Sequence, residues 1–328
     1  MSELRQDLVC GDWVILSTER AKRPHKLIKK KTAKRKPTPI GDCPFEDLKK
    51  SGNWPPVEIY PNEKDWKVAV IPNKYPAVRH GNTCAVSFKA GPYQRLSGIG
   101  HHELVITRDH WKNLAHSTGK EGAELFEVIQ KRYRELKKDN CLVYASTFFN
   151  WGQSAGASLY HPHYQMITLP IIPPDISHSL NGSANYFKKN RHCVHCEIIG
   201  FEEKNKKRII AKNSAAIAVA PFVSRQPFEI RIFPRRHQPY FENTPVAELK
   251  GIISVLQAAL RKVEKNLRDP DLNFFIHTSP LKNQARYKHY HWHMEIVPKI
   301  STLAGFELGT GVDINIVDPD VAAAVLRK

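Results

Sequence analysis

The chain has 328 residues and carries 50 Lys and Arg against 32 Asp and Glu, a formal net charge of +18. Hydrophobic residues make up 41% and charged residues 25%, a globular rather than a disordered balance. No apolar run approaches the roughly 20 residues that a membrane helix needs, so a membrane partner is not expected.

The N-terminal MSELRQDLVCGDWVIL lacks a continuous apolar stretch and a small-residue cleavage site, which predicts a cytoplasmic protein. Nine of the fifteen residues in the run 22–36 are Lys or Arg. That run reads as a solvated basic arm beside an anion site. Nucleic acid is the less favoured partner, because no aromatic residues interleave with the charges. Six cysteines are too few and too irregular for a disulfide framework, so metal ligation is the better question to ask of them.

Next, the chain repeats itself. In the first copy a strand-like HELVIT from His102 reaches His110, and a helix follows with Leu125, Val128, Ile129 and Leu136 at helical spacing. The strand CLVYASTFF from Cys141 and the string HPHYQMITLP from His161 complete it. Residues 170–191, with their prolines, Ser and Asn, read as a connection. In the second copy FEIRIFP from Phe228 leads to His237, and Thr244 with Pro245 supplies the start signals of a helix bearing Leu249, Ile252, Ile253, Leu256, Leu260 and Val263. LNFFIH and HYHWHMEIVP end it, and the separation between His110 and His161 nearly equals that between His237 and His291. The pattern predicts an α+β fold of two related modules, residues 1–170 and 171–328, each an antiparallel sheet with helices packed on one face.

Residues 150–165, NWGQSAGASLYHPHYQ, concentrate polar groups that packing does not require. On an extended strand His161, His163 and Gln165 share a face while Pro162 and Tyr164 point away. A neutral imidazole can attack an α-phosphorus and carry the nucleotidyl group covalently, splitting a hard substitution into two displacements. Gln165 can donate to a phosphate oxygen, Gly156 permits close backbone approach, and Ser158 offers a hydroxyl donor. Cys193-x-x-Cys196 has the spacing of a zinc chelate that His237 and His291 would complete if the repeat brings them together. His289, His291 and His293 alternate much as the first cluster does, but without the preceding Asn-Gly-Ser arrangement, which assigns them to structure.

Asn150, Gly156, Ser158 and the His161-Pro162-His163-x-Gln165 string resemble the active-site signature of the galactose-1-phosphate uridylyltransferase family, a branch of the histidine-triad nucleotidyltransferases. The similarity extends to GHHELVI around His102 and to AGFELGTGVDIN from Ala304. It implies duplicated histidine-triad-like modules, His163 as nucleophile with Gln165 and His161 as its catalytic companions, and nucleotide contacts from Asn73, Asn150, Gly156 and Ser158. It also implies a homodimer in which Glu307 reaches the sugar from the partner chain. Zinc is the implied cofactor at Cys193, Cys196, His237 and His291. A second zinc set would be Cys43, Glu46, His110 and His161, with Glu46 where the family carries cysteine, so that this site is either a Cys-Glu-His-His set or vacant. The expected reaction moves a nucleoside monophosphate between a nucleotide sugar and a hexose 1-phosphate, with UDP-glucose as the first expected donor. Asp313 replaces a glutamine of the uridylyltransferases, however, and GFELGTG is more similar to the ADP-glucose phosphorylase branch. The alternative is therefore adenylyl transfer from ADP-glucose or a dinucleoside polyphosphate to phosphate. A reading from another class is a basic nucleotide- or RNA-binding protein that has lost catalysis.

Overall fold

The structure is a computed structural model that describes residues 2–22, 35, 37–81 and 83–328. Of the basic run, residues 23–34 and 36 lie outside the described residues. Among the described residues, ten strands form one sheet, antiparallel throughout. From one edge inward run Glu58–Tyr60, Val68–Pro72, His102–Thr107, His163–Leu169 and Tyr144–Trp151. From the other run Ile209–Lys212, Ala216–Val219, Ile230–Pro234, His293–Pro298 and Leu272–His277. The two halves have the same strand order and connectivity, and they join where Leu272–His277 pairs with Tyr144–Trp151. The repeat read from the sequence is thus a repeat in space, fused edge to edge.

Alternation along the central strands decides what each face does. Tyr144, Ala145, Thr147, Phe149 and Trp151 are buried, whereas Ser146, Phe148 and Asn150 are half-buried. The second half repeats this, with Phe274 and Ile276 buried and Asn273, Phe275 and His277 half-buried. The buried side meets the helices Gly119–Leu136 and Val246–Leu267, whose apolar stripes include the expected Leu125, Val128 and Ile129 on the first and Ile252, Ile253 and Leu256 on the second. The opposite side is left to polar and aromatic groups.

Three expectations are corrected. Residues 170–191 contain the helix Pro174–Asn190, with Pro174 in its first turn and Ile176, Leu180 and Ser183 buried at helical spacing; Ile176 and Leu180 pack with Tyr240, Tyr287 and Tyr290. Thr244 does not cap the long second helix; Pro245 takes that position, and the Thr244 hydroxyl is buried without a partner among the described residues. Cys84 and Cys141 form a disulfide, bringing the loop before Ser87–Ala90 to the segment after the first long helix. Irregular spacing argues against a framework of many bridges but is silent about a single one. The N-terminal hairpin Glu3–Gln6 and Trp13–Leu16 pairs with Asp313–Asn315, so the start of the chain packs with its end.

Candidate active site

Among the described residues, His163 and Gln165 stand two apart on the helix-free face of His163–Leu169, directly opposite Ile106 and Leu104. His163 is 6% exposed, and its Nδ1 donates to the backbone oxygen of His161 at 2.9 Å. That bond puts the lone pair on Nε2, the nucleophilic form. Burial holds the His163 pKa below the ordinary imidazole value, against the raising effect of its bond to His161.

His161 behaves differently from the expected shared row. It precedes the strand, is fully buried, and turns its ring toward Cys43 and Glu46. Its backbone oxygen, rather than its ring, meets His163. The helical turn Gln153–Ala155 lies between Gly152 at φ +87° and Gly156 at φ +88°, left-handed values that favour glycine. Asn150 and Ser158 bracket this turn, and Ser158 is exposed. Asn73 follows Val68–Pro72 and sits with its Nδ2 3.0 Å from His102 Nε2, while His102 Nε2 is also 3.0 Å from Gln165 Oε1. A cavity of about 410 Å³ opens on the same face between Asn150, Phe148, Asn273 and Phe275. Among the described residues Glu307 is not joined to this group; its carboxylate accepts from the Ala304 N–H at 3.1 Å at the start of the helix Gly305–Thr310.

Residues of the second half that spacing alone does not single out support the turn. Asn273 donates to Asn150 Oδ1 and to the Ala155 oxygen, each at 2.8 Å. Asp271 accepts from the backbone N–H and hydroxyl of Ser154 at 2.8 and 2.7 Å. Arg35, at the end of the basic run, bonds Asp271 and lies over the Trp151 ring. The alternation of LNFFIH places Asn273 on the polar face, but only the join between the halves brings it to Asn150.

Among the described residues, four groups could hold a metal ion, and two of them, each with four donors that include cysteine, match the expected sets. Cys193, Cys196, His237 and His291 present ligand atoms that all lie within 4.8 Å of one another, and so do Cys43, Glu46, His110 and His161. The donor chemistry fits zinc, which takes thiolate, imidazole and carboxylate. The ring orientations fit as well: His237, His110 and His161 direct Nε2 at the carbonyls of Lys288, Thr38 and Thr107, at 2.8, 2.8 and 2.7 Å, and turn Nδ1 inward. Hydrogen bonds from Cys196, His195, His237 and His291 hold the Cys193 thiol far below its usual range despite burial. Glu46 lies 2.8 Å from His110 Nδ1 and 3.2 Å from His161 Nδ1, so the carboxylate fills the place expected of a second cysteine.

A model for a domain of unknown function, DUF4921, matches residues 92–327. The ADP-glucose phosphorylase of Arabidopsis thaliana is 36% identical over 99% of this chain and 92% of its own length. The galactose-1-phosphate uridylyltransferase of Thermotoga maritima is 27% identical over 100% and 98%. Among solved structures, an ADP-glucose phosphorylase from Arabidopsis thaliana with bound ADP-glucose superposes with a TM-score of 0.85 at 33% identity, covering 100% of this chain and 99% of that one. A uridylyltransferase mutant follows at 0.77 and 25% identity, covering 100% and 97%. The order of these likenesses does not favour the expected UDP-glucose donor over the adenylyl alternative. The repeat, the continuous sheet and the histidine string all agree with these likenesses: the chain belongs to the galactose-1-phosphate uridylyltransferase-like family and is a nucleotidyltransferase acting on sugar phosphates.

Proposed function

We propose that this enzyme is an ADP-glucose phosphorylase. His163 Nε2 attacks the α-phosphorus of ADP-glucose, releasing glucose 1-phosphate and leaving AMP on the ring; inorganic phosphate then takes the AMP to give ADP and free His163. The observation that carries the reading is the His163 geometry, a buried residue whose Nδ1 is committed to the His161 oxygen, which leaves the nucleophilic lone pair on Nε2. Likeness to the Arabidopsis phosphorylase over nearly the whole chain supports adenine over uracil.

Phosphoryl transfer of this kind needs positioning and charge stabilisation more than covalent help from other groups. Gln165 donates to a nonbridging oxygen, the turn at Gly156 allows its backbone close to the phosphates, and Ser158, Asn150 and Asn73 complete the donor set. The +18 charge draws the anionic substrates to the protein. Residues 1–170 form the catalytic module and residues 171–328 the second, zinc-bearing one. Cys193, Cys196, His237 and His291 would hold zinc with four protein ligands, a closed site whose contribution is structural. Cys43, Glu46, His110 and His161 would hold a second ion, and His161, fixed there, presents the backbone oxygen that orients His163. In a homodimer the partner's copy of the C-terminal segment would bring Glu307 to the sugar.

The test is product analysis with purified enzyme, ADP-glucose and phosphate. ADP and glucose 1-phosphate in equal amounts are expected. Turnover of UDP-glucose with galactose 1-phosphate in preference to this pair would return the enzyme to the uridylyl branch.

A further inference from the structure

We propose that His102 is a positioning residue that sets which end of the Gln165 amide faces the phosphoryl group. The inference rests on the nucleotidyl-transfer reading, and it begins with the proton on one ring. The Ala77 backbone N–H donates to His102 Nδ1 at 3.1 Å. Nδ1 must then carry a lone pair, so the ring proton sits on Nε2. Nε2 lies 3.0 Å from Gln165 Oε1 and donates to it.

A glutamine amide fits its place in two orientations that differ little in shape and completely in polarity. With Oε1 bound by His102, Gln165 is left with its NH2 as the free end. Gln165 lies on the same strand face as His163, whose Nε2 is the attacking atom. The amide therefore offers two hydrogens to phosphate oxygens. In the flipped orientation it would offer a carbonyl oxygen to the same negative group and repel it.

The loop that follows Val68–Pro72 enforces this arrangement. Asn73 N–H donates to the His102 backbone oxygen at 2.8 Å, and Ala77 N–H holds Nδ1. Asn73 Oδ1 is taken by the Tyr75 N–H at 2.9 Å, so Asn73 Nδ2 meets a second donor, His102 Nε2–H, at 3.0 Å. Two donors do not satisfy one another. The Asn73 hydrogens are left for an acceptor supplied by the ligand. Docking of the 73–77 loop and orientation of Gln165 are thus one event, read through one imidazole.

Two substitutions separate the ring's two jobs. Asparagine places an acceptor near Nδ1 and nothing at Nε2; glutamine places a donor near Nε2. The measurement is the single-turnover rate of covalent nucleotidyl-enzyme formation from ADP-glucose, with ADP-glucose affinity and melting temperature taken on the same samples. His102→Asn is expected to fold as the wild type, to bind ADP-glucose within about fivefold, and to lose roughly 10²-fold in rate, the scale of one removed transition-state donor. His102→Gln is expected to recover most of that rate. Equal rates for the two variants, or a wild-type rate in His102→Asn, would overturn the positioning role while leaving the reaction intact. A wild-type enzyme that forms no adduct from ADP-glucose or UDP-glucose overturns the nucleotidyl-transfer reading and this proposal with it.

Discussion

At the scale of single residues, His163 and His161 each commit one ring nitrogen to a backbone oxygen and direct the other elsewhere. His163 gives Nδ1 to the His161 oxygen, and His161 gives Nε2 to Thr107 and turns Nδ1 toward Glu46 and Cys43. Burial lowers the His163 pKa, so its free base persists to lower pH than in an exposed histidine. The sign follows: adduct formation stays flat above pH 6.5 and is lost as pH falls through the depressed value. A rate profile with its half-point above pH 6.5 would contradict it. Glu46→Ala should remove one metal equivalent per chain in elemental analysis and leave the Cys193–Cys196 ion bound; retention of both ions would rule out the carboxylate as a necessary ligand. The shared strand of His163 and Gln165 and the grouping of Cys193 and Cys196 with His237 and His291 are legible from spacing and residue chemistry. His102 and Asp271 are not, because their roles come from partners far away in sequence, Gln165 and Ser154.

Elements explain why the active turn keeps its shape. Gly152 sits where an added Cβ would lie 1.8 Å from Asp271 Oδ1, and its φ of +87° is strained for any side chain. Gly152→Ala should push the Ser154 contact apart and lower kcat by about tenfold or more, with a smaller change in melting temperature; an unchanged kcat would show that the turn is not held this way. The strands His102–Thr107 and Leu272–His277 coincide with the segments read from alternation, since their hydrophobic period is clear. Pro174–Asn190 is hidden in the sequence because its buried stripe is only Ile176, Leu180 and Ser183 in an otherwise polar run.

The whole molecule is two copies of one plan sharing a sheet, and its active turn borrows Asp271 and Asn273 from the copy that lacks the histidine-proline-histidine string. The hairpin at the start of the chain closes on Asp313–Asn315 at its end. Duplication is visible in the sequence; the fusion into a continuous sheet is not, because nothing local specifies which edges meet. Acid stability offers a global check. Burial pushes His277 down to about 3 from an ordinary 6.5, so the unfolded chain takes up this proton at a higher pH than the native one. Its stabilising contribution is present above pH 6.5 and is lost progressively as pH falls toward 3. His277→Phe should flatten that part of a stability profile measured by urea unfolding; an unchanged slope would rule out His277 as a source.

Intact-protein mass measurement after incubation with ADP-glucose reads the proposed covalent adenylyl group on His163 directly. An AMP-sized increase is expected on the wild type and none on His163→Ala. An unmodified wild type, a UMP-sized increase from UDP-glucose alone, or an adduct that survives His163→Ala would contradict it.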